Sequence, residues 1–246
     1  MKKKVVLVGG AGRIGTILSK GLHERYEIIV LDKNIREDEG HIETDATNFD
    51  ELVDDIPEDA DVIINLLATH TNESISDVSK LNDMTDVFFK ASYYIFLAAV
   101  TLKVPRVIFA SSNHVTDYYE VDGNSTLTRE INIKDYPLSR SLYGVLKLAS
   151  ENIGHIFADD HGLSIINLRI GSVPDDEKRS VREKPRLRKT LLSSVDVINL
   201  FSAAIETNTH YGIYYGVSDN PGKPWDMKNA KEELGFQSIV NTSDLN

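Results

Sequence analysis

VGGAGRIG, residues 8–15, closes a short apolar run, Val5-Val-Leu-Val8, and opens a segment in which Ile14, Ile17, Leu18 and Leu22 recur at helical spacing. Gly9, Gly12 and Gly15 let the chain turn tightly. A pyrophosphate can then approach the backbone amides at the positive end of a helix that begins with Arg13 and Ile14. Asp32 closes the next apolar run, Ile28-Ile-Val-Leu31, about 20 residues on, where a carboxylate accepts hydrogen bonds from a ribose diol. Such a carboxylate repels a 2′-phosphate and favours NAD over NADP, while Lys33 and Arg36 beside it keep NADP open. Asp45, in Thr44-Asp-Ala-Thr47, suits either a hydrogen bond to the adenine amino group or a plain helix cap.

The alternation begun at residue 5 continues. Val62-Ile-Ile-Asn-Leu66, Val107-Ile-Phe-Ala110 and Ile165-Ile-Asn-Leu168 are short and rich in branched residues, as strands buried on both faces are. Between them, Val78, Leu81, Met84, Val87, Phe88, Ala91 and Ile95 follow a helical period, and residues 141–157 supply another helix. Strand and helix in alternation predict an α/β fold with a doubly wound parallel sheet of Rossmann type. Residues 1–170 are expected to form the dinucleotide-binding core. Past Gly171 the pattern is interrupted by Pro174, Pro185, Pro221 and Pro224, so residues 171–246 are expected to form a small substrate-covering lobe integral to one domain, with one further helix at Ser194–Glu206.

Composition excludes several classes. The chain has 246 residues, 41% of them hydrophobic, enough for a full core, and a net charge of -11 that opposes nucleic acid and anionic membranes as partners. It has no cysteine, hence no disulfide, thiolate metal site or cysteine nucleophile. The apolar run behind Lys2-Lys3-Lys4 is short for a signal peptide, which predicts a cytoplasmic protein. His41, His70 and His155 show no ligand spacing around His114, so no metal is expected. One stretch opposes the overall charge: Lys178, Arg179, Arg182, Lys184, Arg186, Arg188 and Lys189 are relieved only by Glu183. A solvated surface run is the plainer account of these cations, and an anion-facing substrate loop the functional one.

A second chemical site is Tyr143 with Lys147, four apart and so on one face of a helix. A tyrosine hydroxyl is a poor base at neutral pH, and a neighbouring ammonium together with an oxidised nicotinamide favours the phenolate. Tyr-x-x-x-Lys pairs also arise by chance. This one comes after Ser111-Ser112 at the carboxyl end of a predicted strand, where open α/β sheets bind their ligands.

With Ala110-Ser-Ser-Asn-His-Val115, Leu142-Tyr-Gly-Val-Leu-Lys147, Leu168-Arg-Ile-Gly-Ser172, Tyr215-Gly-Val-Ser-Asp-Asn220 and Trp225-Asp226, the chain resembles the extended short-chain dehydrogenase/reductase superfamily over essentially its whole length. Within it, the likeness is to uronate dehydrogenases and related NAD-dependent aldose dehydrogenases. The resemblance implies Ser112 as the hydroxyl that polarises the reacting oxygen, Tyr143 as the base, and Lys147 as the residue that lowers the tyrosine pKa and holds the nicotinamide ribose. It implies sugar contacts from Asn113, His114 and Ser172, and a carboxylate clamp at Arg186, ahead of Leu187-Arg-Lys-Thr-Leu-Leu-Ser193. It also implies a homo-oligomer. The Asn65-Leu-Leu-Ala-Thr-His-Thr71 segment departs from the glycine-rich turn of relatives. There Ala68 is expected beside the cofactor, with Thr69, His70 and Thr71 toward substrate.

The expected reaction is oxidation of a hexopyranose, a hexuronate such as glucuronate or galacturonate, at C1 to the aldonolactone, with NAD as cofactor. The surplus of cations keeps open a glucose-6-phosphate dehydrogenase, so the expected partner is a sugar acid or a sugar phosphate. A nucleotide-sugar epimerase or dehydratase uses the same Ser, Tyr and Lys. A non-catalytic dinucleotide sensor would have little reason to keep them.

Overall fold

The computed structural model describes residues 2–35, 40–71 and 75–245, so Arg36 lies outside it. The branched runs form strands: β1 (Lys4–Val8), β2 (Glu27–Asp32), β3 (Ile42–Glu43), β4 (Val62–Asn65) and β5 (Arg106–Ser112). A two-residue-per-arm hairpin, β6 (Glu120–Val121) and β7 (Asn124–Ser125), precedes β8 (Ser164–Ile170) and β9 (Tyr211–Gly216). Seven strands make one parallel sheet in the order β3-β2-β1-β4-β5-β8-β9. Strand order reverses between β1 and β4, and a crevice opens at the carboxyl ends of strands at such a switch point. Pairing of Val8 with both Leu31 and Asn65, and of Ser112 with Ile170, brings those ends to one rim.

Period-two alternation sends neighbouring strand residues to opposite faces. Val5 and Leu7 join one buried cluster with Leu18 and Leu22 of α1 (Arg13–Leu22) and Leu200 and Phe201 further along the chain. Val6 and Val8 join the other, with Leu52 of α2 (Phe49–Asp55) and residues from two later helices. These are α4 (Ala91–Leu102), which continues α3 (Val78–Met84) through a π-helical turn at Thr85–Lys90, and α5 (Leu142–His161). Truncating a fully buried side chain such as Phe96 would cost about 3–5 kcal/mol. The helical stretch Val78–Leu102 is long and apolar enough in composition to cross a membrane. Phe88, Ile95, Phe96, Ala98 and Ala99 of this stretch are buried in the protein and pack into its core.

The basic run folds into two short helices, α6 (Glu177–Glu183) and α7 (Leu187–Thr190), before α8 (Ser194–Glu206), capped by Ser193, and α9 (Lys228–Glu233). The segment beyond residue 171 thus carries the substrate-side turns and also supplies β9 to the sheet and α8 to its first face. Gly21 has no room for a Cβ because Ile198 of α8 lies 2.3 Å from that position, which keeps α1 and α8 in direct contact.

Candidate active site

A cleft of about 750 Å³ runs along the switch point, lined by Gly9, Gly12, Arg13, Ile14, Gly15, Asp32, Asp45 and Ala68 among others. Gly9 has φ +78°, and a Cβ there would lie 2.9 Å from the Leu67 amide nitrogen; at Gly15 it would lie 2.1 Å from the Gly10 carbonyl oxygen. The loop therefore closes only with glycine at these positions. Gly12 caps α1 without a side-chain hydrogen bond, and the first turn carries no acidic residue, so the positive helix end faces the cleft uncompensated. An extended dinucleotide fits this donor set.

Asp32 accepts hydrogen bonds from the Ala11 amide at 3.0 Å and the Asn34 amide at 2.8 Å, which fixes its carboxylate at the cleft edge. Lys33 Nζ lies 2.6 Å from Asp45 Oδ2. Burial pushes the Asp45 carboxyl up, yet hydrogen bonds from Lys33 and Thr47 overcome this and hold it at about 2. Asp45 is not the helix cap, for Asn48 caps α2 by accepting from the Asp50 amide. It remains on the cleft wall beside the position expected for adenine.

Two of the three residues expected to be catalytic, Ser112 and Tyr143, line the adjoining cleft of about 330 Å³, whose walls also include Asn113, His114, Ala68, Thr69 and Ser172. Ser112 ends β5, and its hydroxyl accepts from the His114 amide at 3.2 Å. Ser141 caps α5 by accepting from the Gly144 amide at 3.2 Å. A Cβ on Gly144 would meet the His114 carbonyl oxygen at 2.3 Å, so the first turn of α5 lies directly on the 3-10 segment Asn113–Tyr119. That close approach brings Tyr143 to Ser112. Burial pushes the Tyr143 hydroxyl up, and its hydrogen bond with Ser112 opposes this.

Lys147 lies one turn further on. Its ammonium donates to the Ala110 carbonyl oxygen at 2.8 Å and sits 5.0, 4.8 and 5.9 Å from the ring centroids of Phe88, Phe109 and Tyr143. Burial pushes it down to about 7, against the pull of Glu151. Glu151 is itself buried and receives both arms of Arg169, at 2.9 and 2.7 Å, as well as the Ser111 hydroxyl.

The opposite wall reads polar groups. Asn113 is 3% exposed and its Nδ2 has no hydrogen-bond partner among the described residues, which leaves a desolvated donor at the cleft. His114 Nδ1 is 2.9 Å from Asp117, whose other oxygen accepts from the Arg140 amide. Burial raises the Asp117 carboxyl, but His114 and Arg140 hold it below the usual range. Thr71 lines the cleft; His70 is exposed and lines neither cleft, so the two neighbours expected together are separated.

Ser172 holds the far side, with the Arg186 Nη1 at 3.5 Å from its hydroxyl. The fork of Arg186 is taken by Glu120, Nη2 to Oε2 at 2.6 Å and Nε to both oxygens at 3.1 Å. None of the basic run forms the walls of either cleft: Arg179 pairs with Glu183, Arg188 with the Val181 carbonyl and Lys189 with Asn124. Arg13 reaches from the glycine loop to Asp175 at 2.6 Å and to the Pro174 carbonyl. Sequence reasoning missed Glu120, Asp117, Asp175 and Glu151. Only Glu151 carried a signal, its helical spacing from Tyr143 and Lys147.

A Rossmann sheet with a dinucleotide cleft, and with Ser112, Tyr143 and Lys147 gathered at its end, is the frame of an NAD-dependent enzyme. The chain belongs to the NAD dependent epimerase/dehydratase family, whose profile matches residues 5–184. The uncharacterized protein YtbQ of Bacillus subtilis (strain 168) is 53% identical over 244 residues, covering 99% of this chain and 96% of its own. The NAD-dependent glucose-6-phosphate dehydrogenase of Haloferax volcanii is 29% identical over 260 residues, covering 100% of this chain and 96% of its own. Among solved structures, the glucuronic acid dehydrogenase of Chromohalobacter salexigens superposes with a TM-score of 0.82 at 24% identity, over 99% of this chain and 87% of that one.

Proposed function

We propose that the chain oxidises a cyclic sugar at its anomeric carbon to the aldonolactone, with Tyr143 as base. Bound in the larger cleft, oxidised NAD supplies the acceptor for the hydride that leaves C1. Tyr143 takes the proton of the C1 hydroxyl while Ser112 hydrogen-bonds the same oxygen, so the C1–O bond becomes the lactone carbonyl without a free alkoxide. Lys147, with its Nζ 5.9 Å from the Tyr143 ring centroid, favours the phenolate while it carries its charge, and burial, which draws it down to about 7, sets the pH above which that influence fades. Asn113 Nδ2, His114, Thr69 and Ser172 are placed to orient ring hydroxyls. A positioned general base of this kind contributes about 10²- to 10⁴-fold.

The observation that carries this reading is that Tyr143 and Ser112 line one small cleft, which shares Arg13, Ile14, Ala68 and Thr69 with the larger one, over a buried Lys147 whose Nζ lies 5.9 Å from the Tyr143 ring centroid. It is the geometry that proton removal at a carbon facing the nicotinamide end requires. The hexuronate expectation rests on Arg186, which stands behind Ser172, and the hexose 6-phosphate expectation on a basic run that stays outside the cleft.

The test is NADH formation by the purified protein with NAD or NADP and a panel of glucose, glucuronate, galacturonate, glucose 6-phosphate and UDP-glucose. Turnover of a free sugar with lactone release supports the proposal. NAD binding without turnover of any of them overturns it, and conversion of UDP-glucose to its epimer without net NADH replaces it with the epimerase reading.

A further inference from the structure

We propose that Glu120 sets the substrate class of this site: by holding Arg186, which stands behind Ser172, it leaves the far side of the cleft without a free positive charge, so the enzyme accepts an uncharged cyclic aldose in preference to a hexuronate or sugar phosphate. The inference rests on the anomeric-oxidation reading and narrows it.

The pair is built into the fold. Glu120 begins β6 and is 7% exposed, and its Oε1 also accepts from the Gly123 amide across the hairpin turn. That turn needs positive φ at Asp122 (50°) and Gly123 (79°), and a Cβ on Gly123 would sit 3.1 Å from the Arg186 carbonyl oxygen. The hairpin therefore rests on the start of α7, and both partners are fixed by backbone that touches backbone. Arg186 meanwhile extends Nη1 to Ser172, which lines the substrate cleft.

An incoming carboxylate at Arg186 has two options. It can displace Glu120, which leaves a buried carboxylate without its counter-ion, or it can bind beside Glu120, which places two carboxylates on one guanidinium. Both are unfavourable in a partly desolvated site. Arg13, the cation that lines this cleft, is paired with Asp175. Lys147 is committed beneath Tyr143 at the reacting end. Among the described residues that form the substrate cleft, therefore, no arginine or lysine is left without an acidic partner. The groups that do remain, the Asn113 amide, Thr69, Thr71 and the Ser172 hydroxyl, match sugar hydroxyls.

The experiment compares pairs that differ only at C6, glucose with glucuronate and galactose with galacturonate, together with glucose 6-phosphate, as kcat/KM with saturating NAD. It uses the wild-type enzyme and Glu120→Gln, which keeps side-chain shape and removes the charge. The wild type is expected to prefer each aldose by roughly tenfold or more, and Glu120→Gln to shift the ratio toward the uronate by a similar factor, mainly through the uronate KM. A wild-type preference for the uronate or the phosphate overturns the proposal. So does an unchanged ratio in a Glu120→Gln protein that melts as the wild type does. If Glu120→Gln fails to fold, the wild-type ratios decide alone. If no sugar turns over, the oxidation reading fails, and calorimetric titration of aldose and uronate into the NADH complex decides the charge argument separately. Tighter aldose binding supports it there, and tighter uronate binding or no aldose binding overturns it.

Discussion

The Lys147 ammonium donates to the carbonyl oxygen of Ala110 at 2.8 Å, which ties α5, the helix that carries Tyr143, to the end of β5 just ahead of Ser112. The same bond that holds the charge in an aromatic enclosure sets the distance between the tyrosine-bearing helix and the serine-bearing strand. Geometry and electrostatics of the reacting end thus depend on one side chain.

Tyr143→Phe removes only the hydroxyl, and its ring keeps its edge contacts with Phe88 at 5.0 Å and His114 at 5.6 Å. The variant is expected to fold and to bind NAD as the wild type does, with kcat lowered by about 10²- to 10⁴-fold. Steady-state NADH formation alongside NAD titration by protein fluorescence checks both halves. Full activity in a folded Tyr143→Phe protein would sink the assignment of the base.

Lys147 predicts a pH dependence of stability. Its folded value is depressed to about 7 from an ordinary 10.5, chiefly by burial. Between those values the unfolded chain binds a proton that the folded chain does not, so this site's contribution to stability rises as pH climbs through that window. Urea denaturation of wild type and Lys147→Met at stepped pH should show the wild type gaining on the variant from about pH 7 upward. A constant difference across the window would mean that the ammonium stays charged in the folded protein.

Much of this was legible in the sequence because strands buried on both faces must be continuous and apolar. The runs at Val5, Ile28, Val62, Val107 and Ile165 each became a strand, and Ser194–Glu206 is a helix with the expected bounds. β9 was not, since Tyr211-Gly-Ile-Tyr-Tyr-Gly216 mixes glycine and tyrosine and gives no clean run. Tyr143 and Lys147 could be paired from the sequence because one helical turn separates them, whereas Ser112 lies far upstream and was singled out by its place at the end of a predicted strand and by the resemblance. The partner of Arg186 was not, because Glu120 lies in a two-residue strand and meets α7 only through tertiary packing. Of the basic run, Arg179 meets Glu183 at a local i,i+4 spacing, whereas the partners of Arg188 and Lys189, the Val181 carbonyl and Asn124, come from packing that no local pattern reveals.

Cofactor choice is expected to depend on the carboxylates at the cleft edge. Asp32 lines the cleft where the ribose is expected, and Lys33, the adjacent cation, is engaged by Asp45 at 2.6 Å. The wild type should therefore use NAD in preference to NADP. Asp32→Ser with Asp45→Asn, which removes the repelling charge and frees Lys33, should lower the NAD to NADP ratio of kcat/KM by about tenfold or more. Kinetics with both cofactors measure it, and an unchanged ratio would place the ribose discrimination elsewhere.

The buried pair behind the site yields the last expectation. Glu151 and Arg169 are 1% and 3% exposed by side chain, joined at 2.7 Å, and Arg169 also donates to the Tyr215 hydroxyl at 3.2 Å. Glu151→Ala would leave the guanidinium buried against Tyr215 with no counter-ion, which costs about 3–5 kcal/mol. Replacing both residues by apolar ones, Glu151→Leu with Arg169→Met, removes the stranded charge and should recover much of that loss. The double variant also deprives Lys147 of the carboxylate that favours its charged form, while Ser111 loses its acceptor at the end of β5. Recovered melting temperature without recovered kcat, and an activity profile displaced along the pH axis, would show that the pair serves the lysine as well as the core. Recovery of both together would reduce it to a packing element.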